Sequence, residues 1–86
     1  MARFSVVFKY SVYKDLRPIP KTDLKRILKK IESLVEDPRG HGCEKLSGLE
    51  RYRVRQGVYR IIYEIVDDRL VVTVVKIGHR GNVYER

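Results

Sequence analysis

The sequence predicts an α+β domain: one strand and two helices, then a three-stranded antiparallel meander, with the helices packed on one sheet face. Two patterns carry this reading. Leu24, Ile27, Leu28, Ile31, Leu34 and Val35 recur at the helical period and form a single apolar stripe. Three closely spaced runs, 51–55, 58–66 and 70–77, are rich in β-branched residues and tyrosine and are separated only by short turn signals.

Each element follows from its local chemistry. Phe4 to Phe8 reads as a short strand, and Ser11 to Arg17 as a short helix with Val12 and Leu16 at i,i+4. Pro18 and Pro20 bracket a tight connection. The main helix carries Lys25, Arg26, Lys29, Lys30 and Glu32 opposite its apolar stripe, a face open to two readings, solvated surface or contact surface. Asp37-Pro38 is expected to stop it, because the residue before proline disfavours the α region, and Gly40 reinforces the break. Arg39 to Leu49 reads as a glycine-containing loop. In 51–55, Tyr52 and Val54 alternate with Arg51, Arg53 and Arg55. Gln56-Gly57 is the expected hairpin turn and Asp67-Asp68 the next one. The run from Leu70 to Ile77 has the nearly unbroken apolar character of a central strand. Gly78 is expected to end it, with Val83-Tyr84 as a last extended piece.

Composition bounds the rest. The 86 residues, 43% apolar, suit a single domain over 1–86 with one continuous core. Charged residues make up 35% of the chain but are interspersed with apolar ones, which argues against disorder. The 19 Lys and Arg against 11 Asp and Glu give a net charge of +8, so polyanions are the natural partners. One cysteine, Cys43, excludes an intrachain disulfide and reads as a small packing residue. There is no signal-peptide pattern and no run long enough to span a membrane, so the expected location is the cytoplasm. Neither a phosphate-binding glycine loop nor metal-ligand spacing is present, and no cofactor or metal is expected; His41, Cys43 and Glu44 make only a weak ligand set.

The arginines of the C-terminal half carry the functional signal. Arg53 and Arg55 share a strand face, and Arg60 lies across the turn close to the position opposite Arg55. Like charges side by side on a hairpin are destabilising, and a polyanion would offset that cost. Arg80 follows the last strand, where a loop can bring it to the same face. Guanidinium groups pair bidentately with phosphate oxygens and stay charged at any relevant pH. His79 and Tyr84 add groups able to move protons: the first titrates near neutrality, and the second needs nearby positive charge to serve as a base. The plainer readings are a solvated histidine and a tyrosine whose ring packs on the sheet. Tyr10, Tyr13, Tyr52, Tyr59 and Tyr63 read as core or rim residues.

Several blocks in register then bear on family. Asp37-Pro38-Arg39-Gly40, Lys45-Leu46-Ser47-Gly48-Leu49, Tyr52-Arg53-Val54-Arg55, Gly57-Val58-Tyr59-Arg60-Ile61-Ile62-Tyr63, Ile77-Gly78-His79-Arg80 and Val83-Tyr84 together resemble the RelE/ParE toxin superfamily over essentially the whole chain. The resemblance implies the RelE-like fold and two possible activities. RelE-like toxins cleave mRNA in the ribosomal decoding site, whereas ParE-like toxins inhibit DNA gyrase and lack the nuclease residues. The basic positions and C-terminal tyrosine of the RelE branch fall on Arg53, Arg55, Arg60, Arg80 and Tyr84, which favours the nuclease. One departure is chemical: where the best-known RelE toxin has lysines, this chain has Arg53 and Arg55, which hold charge but cannot act as bases.

The expected function is therefore that of a type II toxin, a ribosome-dependent endoribonuclease that cleaves translated mRNA by metal-independent 2′-hydroxyl attack. The alternatives are a gyrase-directed toxin and a non-catalytic RNA- or protein-binding module. In the leading reading Tyr84 is first choice for general base and Arg80 assists the leaving 5′-oxygen, with His79 as an alternative donor. Arg55 and Arg60 stabilise the phosphorane; Arg53, Arg51 and Lys45 bind RNA. The partners implied by the resemblance are a cognate antitoxin and the ribosome with its mRNA, and no membrane.

Overall fold

A short N-terminal strand, β1 (Ser5–Phe8), leads into helices α1 (Tyr10–Leu16) and α2 (Lys21–Ser33). The two-residue strand β2 (Glu44–Lys45), β3 (Arg51–Gln56) and β4 (Tyr59–Val66) follow; a 3-10 turn over Asp67–Arg69 then leads into β5 (Val71–His79). The computed structural model describes residues 3–46 and 50–79. The five strands form one sheet in the order β1-β5-β4-β3-β2. β1 lies parallel to β5, with Ser5 opposite Val71, and every other pairing is antiparallel.

Both helices cover the same sheet face. Val12 of α1 and Ile27 and Ile31 of α2, with Ile19 and Leu34 from the segments that follow each helix, bury against Val54, Ile61, Tyr63, Val72, Val74 and Ile77. At roughly 1.5–3 kcal/mol for each fully buried aliphatic side chain, this layer dominates the stability of the fold. α2 stays regular because its apolar positions fall on one arc, Asp23 sits in its first turn and Lys30 in its last, both favourable to the helix dipole. It ends at Ser33, before Asp37-Pro38: Leu34 and Val35 donate to Ile31 and Glu32, tightening the last turn.

The structure corrects several expectations. Leu28, at the margin of the stripe, is 42% exposed, and Tyr10 is 88% exposed and outside the core. Glu44–Lys45 is a strand: β3 supplies a ladder for it, and Leu46 donates to the carbonyl of Arg51. Gly78 does not end β5, since Arg60 and Tyr59 of β4 hold Gly78 and His79 in register. The β3–β4 loop is Gly57-Val58, closed by the Gln56–Tyr59 pair, with Gly57 at φ +61° as the first central residue of a two-residue hairpin requires. Val83-Tyr84 lies outside the described residues.

β5 changes role along its length. Its first half is central, between β1 and β4; after Val74 the β1 ladder ends, with Lys9 donating to the Val74 carbonyl. α1 then flanks the strand, and the Asp15 carboxylate accepts the Ile77 backbone N–H at 3.2 Å and faces the Lys76 ammonium at 3.4 Å. A side chain thereby satisfies an edge donor that would otherwise be open for another strand.

Candidate nucleic-acid interface

The sheet face away from the helices is built from alternation. Tyr52 and Val54 turn toward the core, so Arg51, Arg53 and Arg55 turn away from it. Register then assigns each a partner on β4: Glu64 opposite Arg51, Ile62 opposite Arg53, and Arg60 opposite Arg55. Ile62, Val75 and Leu46 form a small buried apolar patch on this face, which supplies a floor beneath the charged side chains.

The four arginines are not equivalent. Arg51 donates from Nε to Glu64 at 2.9 Å, and Arg53 donates from a terminal nitrogen to Glu44 of β2, also at 2.9 Å. The Arg53 side chain is only 14% exposed, so it is held in place with little surface to offer a ligand. Arg55, by contrast, is exposed and makes no hydrogen bond or ion pair among the described residues. Its register partner Arg60 is half-buried. Gly78 stands opposite Arg60 on β5, so the third strand contributes no side chain to this row. Arg55 and Arg60 therefore form a concentrated positive pair at the hairpin end, flanked on the sheet by the anchored Arg53.

A β-bulge decides which face the end of β5 presents. Ile62 pairs with Lys76 and Tyr63 with Val74, so Val75 is an extra residue. Core-facing positions consequently run Val72, Val74, Ile77, with a step of three in place of two. Past the bulge His79 pairs with Tyr59 and meets its ring edge-on at 6.0 Å. Tyr59 packs on the helix-side core, so His79 lies on the opposite sheet face from Arg55 and Arg60. There it lines a cleft with Tyr59, Lys14, Asp15, Lys76 and Ile19. Lys45 also departs from the arginine face: it pairs with core-facing Tyr52 and its ammonium lies 3.7 Å from Glu50. Arg80 and Tyr84 lie outside the described residues.

Other charged residues that sequence reasoning left aside matter to the geometry. Glu44 and Glu64 anchor Arg53 and Arg51, and only the cross-strand register could have identified them. Arg39, in the loop after α2, reaches both β3 and the β4–β5 turn. It donates two bonds of 2.8 Å to the Asp67 carboxylate and one of 3.0 Å to the Tyr52 hydroxyl. The bond to Asp67, then that to Tyr52, raise the Arg39 pKa above its ordinary value, and Arg39 in turn lowers that of Asp67. Beneath them Tyr52 stacks on Tyr63 at 5.8 Å, and the buried Tyr63 hydroxyl donates to the Pro38 carbonyl at 2.6 Å. This cluster fixes the 37–46 loop, and with it β2 and Glu44, against β3. Cys43 packs partly buried against the main core. Among the described residues His41, Cys43 and Glu44 form no cluster able to hold a metal ion, and no helix is long and apolar enough to cross a membrane.

Comparisons with known proteins follow the same lines. The family model for the ParE toxin of type II toxin–antitoxin systems, parDE, matches residues 6–84. The protein named RelE1 from Methanocaldococcus jannaschii is 31% identical over 96% of this chain and 97% of its own length. The mRNA interferase toxin RelE of Escherichia coli is 29% identical over 85% of this chain and 79% of its own. Among solved structures, the intact E. coli RelBE toxin–antitoxin complex superposes with a TM-score of 0.78 at 28% identity, covering 99% of this chain and 100% of the matched one.

Proposed function

The chain belongs to the ParE toxin family of type II toxin–antitoxin systems, on the RelE-like branch of the RelE/ParE superfamily, and we propose that it acts as a ribosome-dependent endoribonuclease on translated mRNA. The observation that carries this reading is the opposed pair Arg55 and Arg60: two guanidinium groups concentrated on one sheet face, with Arg55 exposed and uncommitted. The pair is costly in the absence of a ligand, and a phosphodiester would relieve it. A relative named mRNA interferase adds independent support.

The chemistry is an internal transfer. The ribose 2′-oxygen loses its proton and bonds to the adjacent phosphorus, the P–O5′ bond breaks, and the leaving 5′-oxygen takes up a proton. RNA is required because DNA lacks the 2′-hydroxyl. Arg55 and Arg60 stabilise the charge that accumulates on the phosphorane. Arg53 and Arg51, anchored by Glu44 and Glu64, set the field and position around the pair. In this proposal Tyr84 acts as general base, made more acidic by the arginines, and Arg80 assists the leaving oxygen. His79, from the face of Tyr59, is the alternative donor only if the substrate wraps the end of β5. A cognate antitoxin that covers the arginine face would silence the toxin; the solved E. coli relative is itself a toxin–antitoxin complex.

Cleavage of mRNA on programmed ribosomes, timed under single turnover, tests this. Arg60→Ala should slow the cut by about 100-fold, the loss of one preorganised donor worth on the order of 3 kcal/mol. Unaltered cleavage removes Arg60 from the mechanism. The matching family model is that of a ParE toxin, so the second reading is the activity that the ParE-like resemblance implies, inhibition of DNA gyrase. Intact mRNA with blocked supercoiling in arrested cells would replace the nuclease by that reading.

A further inference from the structure

The exposed face of α2 is the largest charged feature that the sheet site does not use. Lys21, Lys25, Arg26 and Lys29 are exposed there and Lys30 is half-exposed. Lys21, Lys25 and Lys29 form one row at i,i+4 spacing, and Arg26 and Lys30 form a second. Each like-charge i,i+4 pair opposes helix formation, and Lys21 in the first turn also opposes the helix dipole. Two carboxylates border the arc, Asp23 beside Arg26 and Glu32 beside Lys29. Elsewhere several cations are matched, Arg3 with Glu36, Arg39 with Asp67, Arg51 with Glu64, Arg53 with Glu44 and Lys76 with Asp15, whereas others such as Arg55, Lys14 and Arg17 are not. None of the five cations of α2 makes an ion pair among the described residues.

The kind of partner follows from what this face lacks. Protein interfaces are depleted in lysine and organised around apolar or aromatic anchors; this arc carries no aromatic ring, and the apolar residue at its margin is the half-exposed Leu28. Single-stranded nucleic acid is held by stacking of bases on aromatic rings, and the exposed tyrosines, Tyr10 and Tyr13, lie on α1 instead. A row of lysines without rings suits the phosphate backbone of a duplex, which is recognised by shape and charge and not by base. The face also ends in a groove of about 300 Å³ lined by Arg26, Lys29, Lys30, Ser33 and Gln56. Gln56 is the chain neighbour of Arg55, so the groove opens at the same hairpin end as the arginine pair.

From this we infer that α2 is a docking surface for the backbone of double-stranded RNA, separate from the sheet site that holds the scissile phosphate. The inference deepens the proposed function, and rests on it only in taking both surfaces to meet one RNA assembly: base-paired RNA grips α2 while the scissile phosphate meets the arginine face.

The test is binding of the full-length protein to an end-labelled RNA duplex of about 20 base pairs and random sequence, followed by anisotropy across a salt series. Lys21→Gln/Lys25→Gln/Lys29→Gln should bind at least tenfold more weakly at moderate salt. Its log–log salt slope should be shallower by about 2–3, one per lost phosphate contact. The corresponding triple arginine variant, which keeps the charge, should bind as the wild type does, and circular dichroism of both confirms that the helix persists. An unchanged duplex affinity and slope in the glutamine variant overturns the inference. So does an equal loss for single-stranded RNA, or retained duplex binding with lost binding of an acidic peptide, which would assign the face to a protein. Wild-type protein that grips duplex through α2 yet never cuts mRNA would sink the nuclease reading and leave this one standing.

Discussion

Arg55 and Arg60 stand directly opposite one another across the β3–β4 ladder, two like charges at a position where cross-strand pairs normally attract. Such an arrangement costs roughly 0.2–1 kcal/mol. Arg55→Thr, which keeps a good strand former, should therefore raise Tm by a few degrees while mRNA cleavage falls. A lower Tm in calorimetry would show that Arg55 serves the fold and not a ligand.

Tyr63 joins a stacked ring pair to a buried hydrogen bond. Tyr63→Phe keeps the ring but leaves the Pro38 carbonyl without its 2.6 Å donor. The expected loss is about 1–3 kcal/mol, with Tm lower by roughly 4–8 °C for each kcal/mol in a domain of this size. Burial pushes the Tyr63 hydroxyl well above the ordinary tyrosine range. The ultraviolet phenolate titration of the folded protein should accordingly lack one tyrosine at pH values where an exposed ring ionises.

The Arg39–Asp67 bridge gives stability a defined pH dependence. Because Arg39 lowers the Asp67 pKa in the folded state, the bridge's contribution is complete above the ordinary aspartate value near 4 and fades as pH falls through the lowered one. Arg39→Gln should melt below the wild type at neutral pH, and the gap should narrow in strong acid. Thermal scans from neutrality to about pH 2 check this. A gap that stays constant would mean that Arg39 acts through Tyr52 alone.

Lys25 lies between Lys21 and Lys29 on α2. Lys25→Glu turns two repulsive i,i+4 pairs into attractive ones and should stabilise the domain by roughly 0.5–1 kcal/mol in urea titration. The same change should weaken duplex RNA binding. Gains in both stability and binding would contradict an RNA-facing role for this helix.

What the sequence disclosed, and what it did not, follows from the range of the interactions involved. The apolar stripe of α2 and the alternation of Arg51 to Arg55 are local patterns, so element order, the helix-covered face and the shared face of the arginines were all legible. β2 was not, because two exposed residues carry no periodicity and become a strand only through β3. The face of His79 was hidden for a related reason. Strict alternation from Val72 and Val74 puts His79 on the arginine side, and the single extra residue at Val75 reverses it. Arg39 finding Asp67 is a contact between distant parts of the chain, which no local pattern announces.

The parallel pairing of β1 with β5 joins the first and the last of the described strands, and the Asp15 bond to Ile77 spans 62 positions. Without β5 the first strand has no neighbour, and the core lacks Val72, Val74 and Ile77. During its own synthesis the polypeptide therefore has no finished sheet, and no Gly78 beside Arg60, until β5 has emerged. A chain released before Val71 should show no cooperative melting transition. For a protein proposed to attack mRNA on ribosomes, this topology sets an order of events: the first strand, the core and the surroundings of Arg60 are completed together, and only when β5 is available to pair.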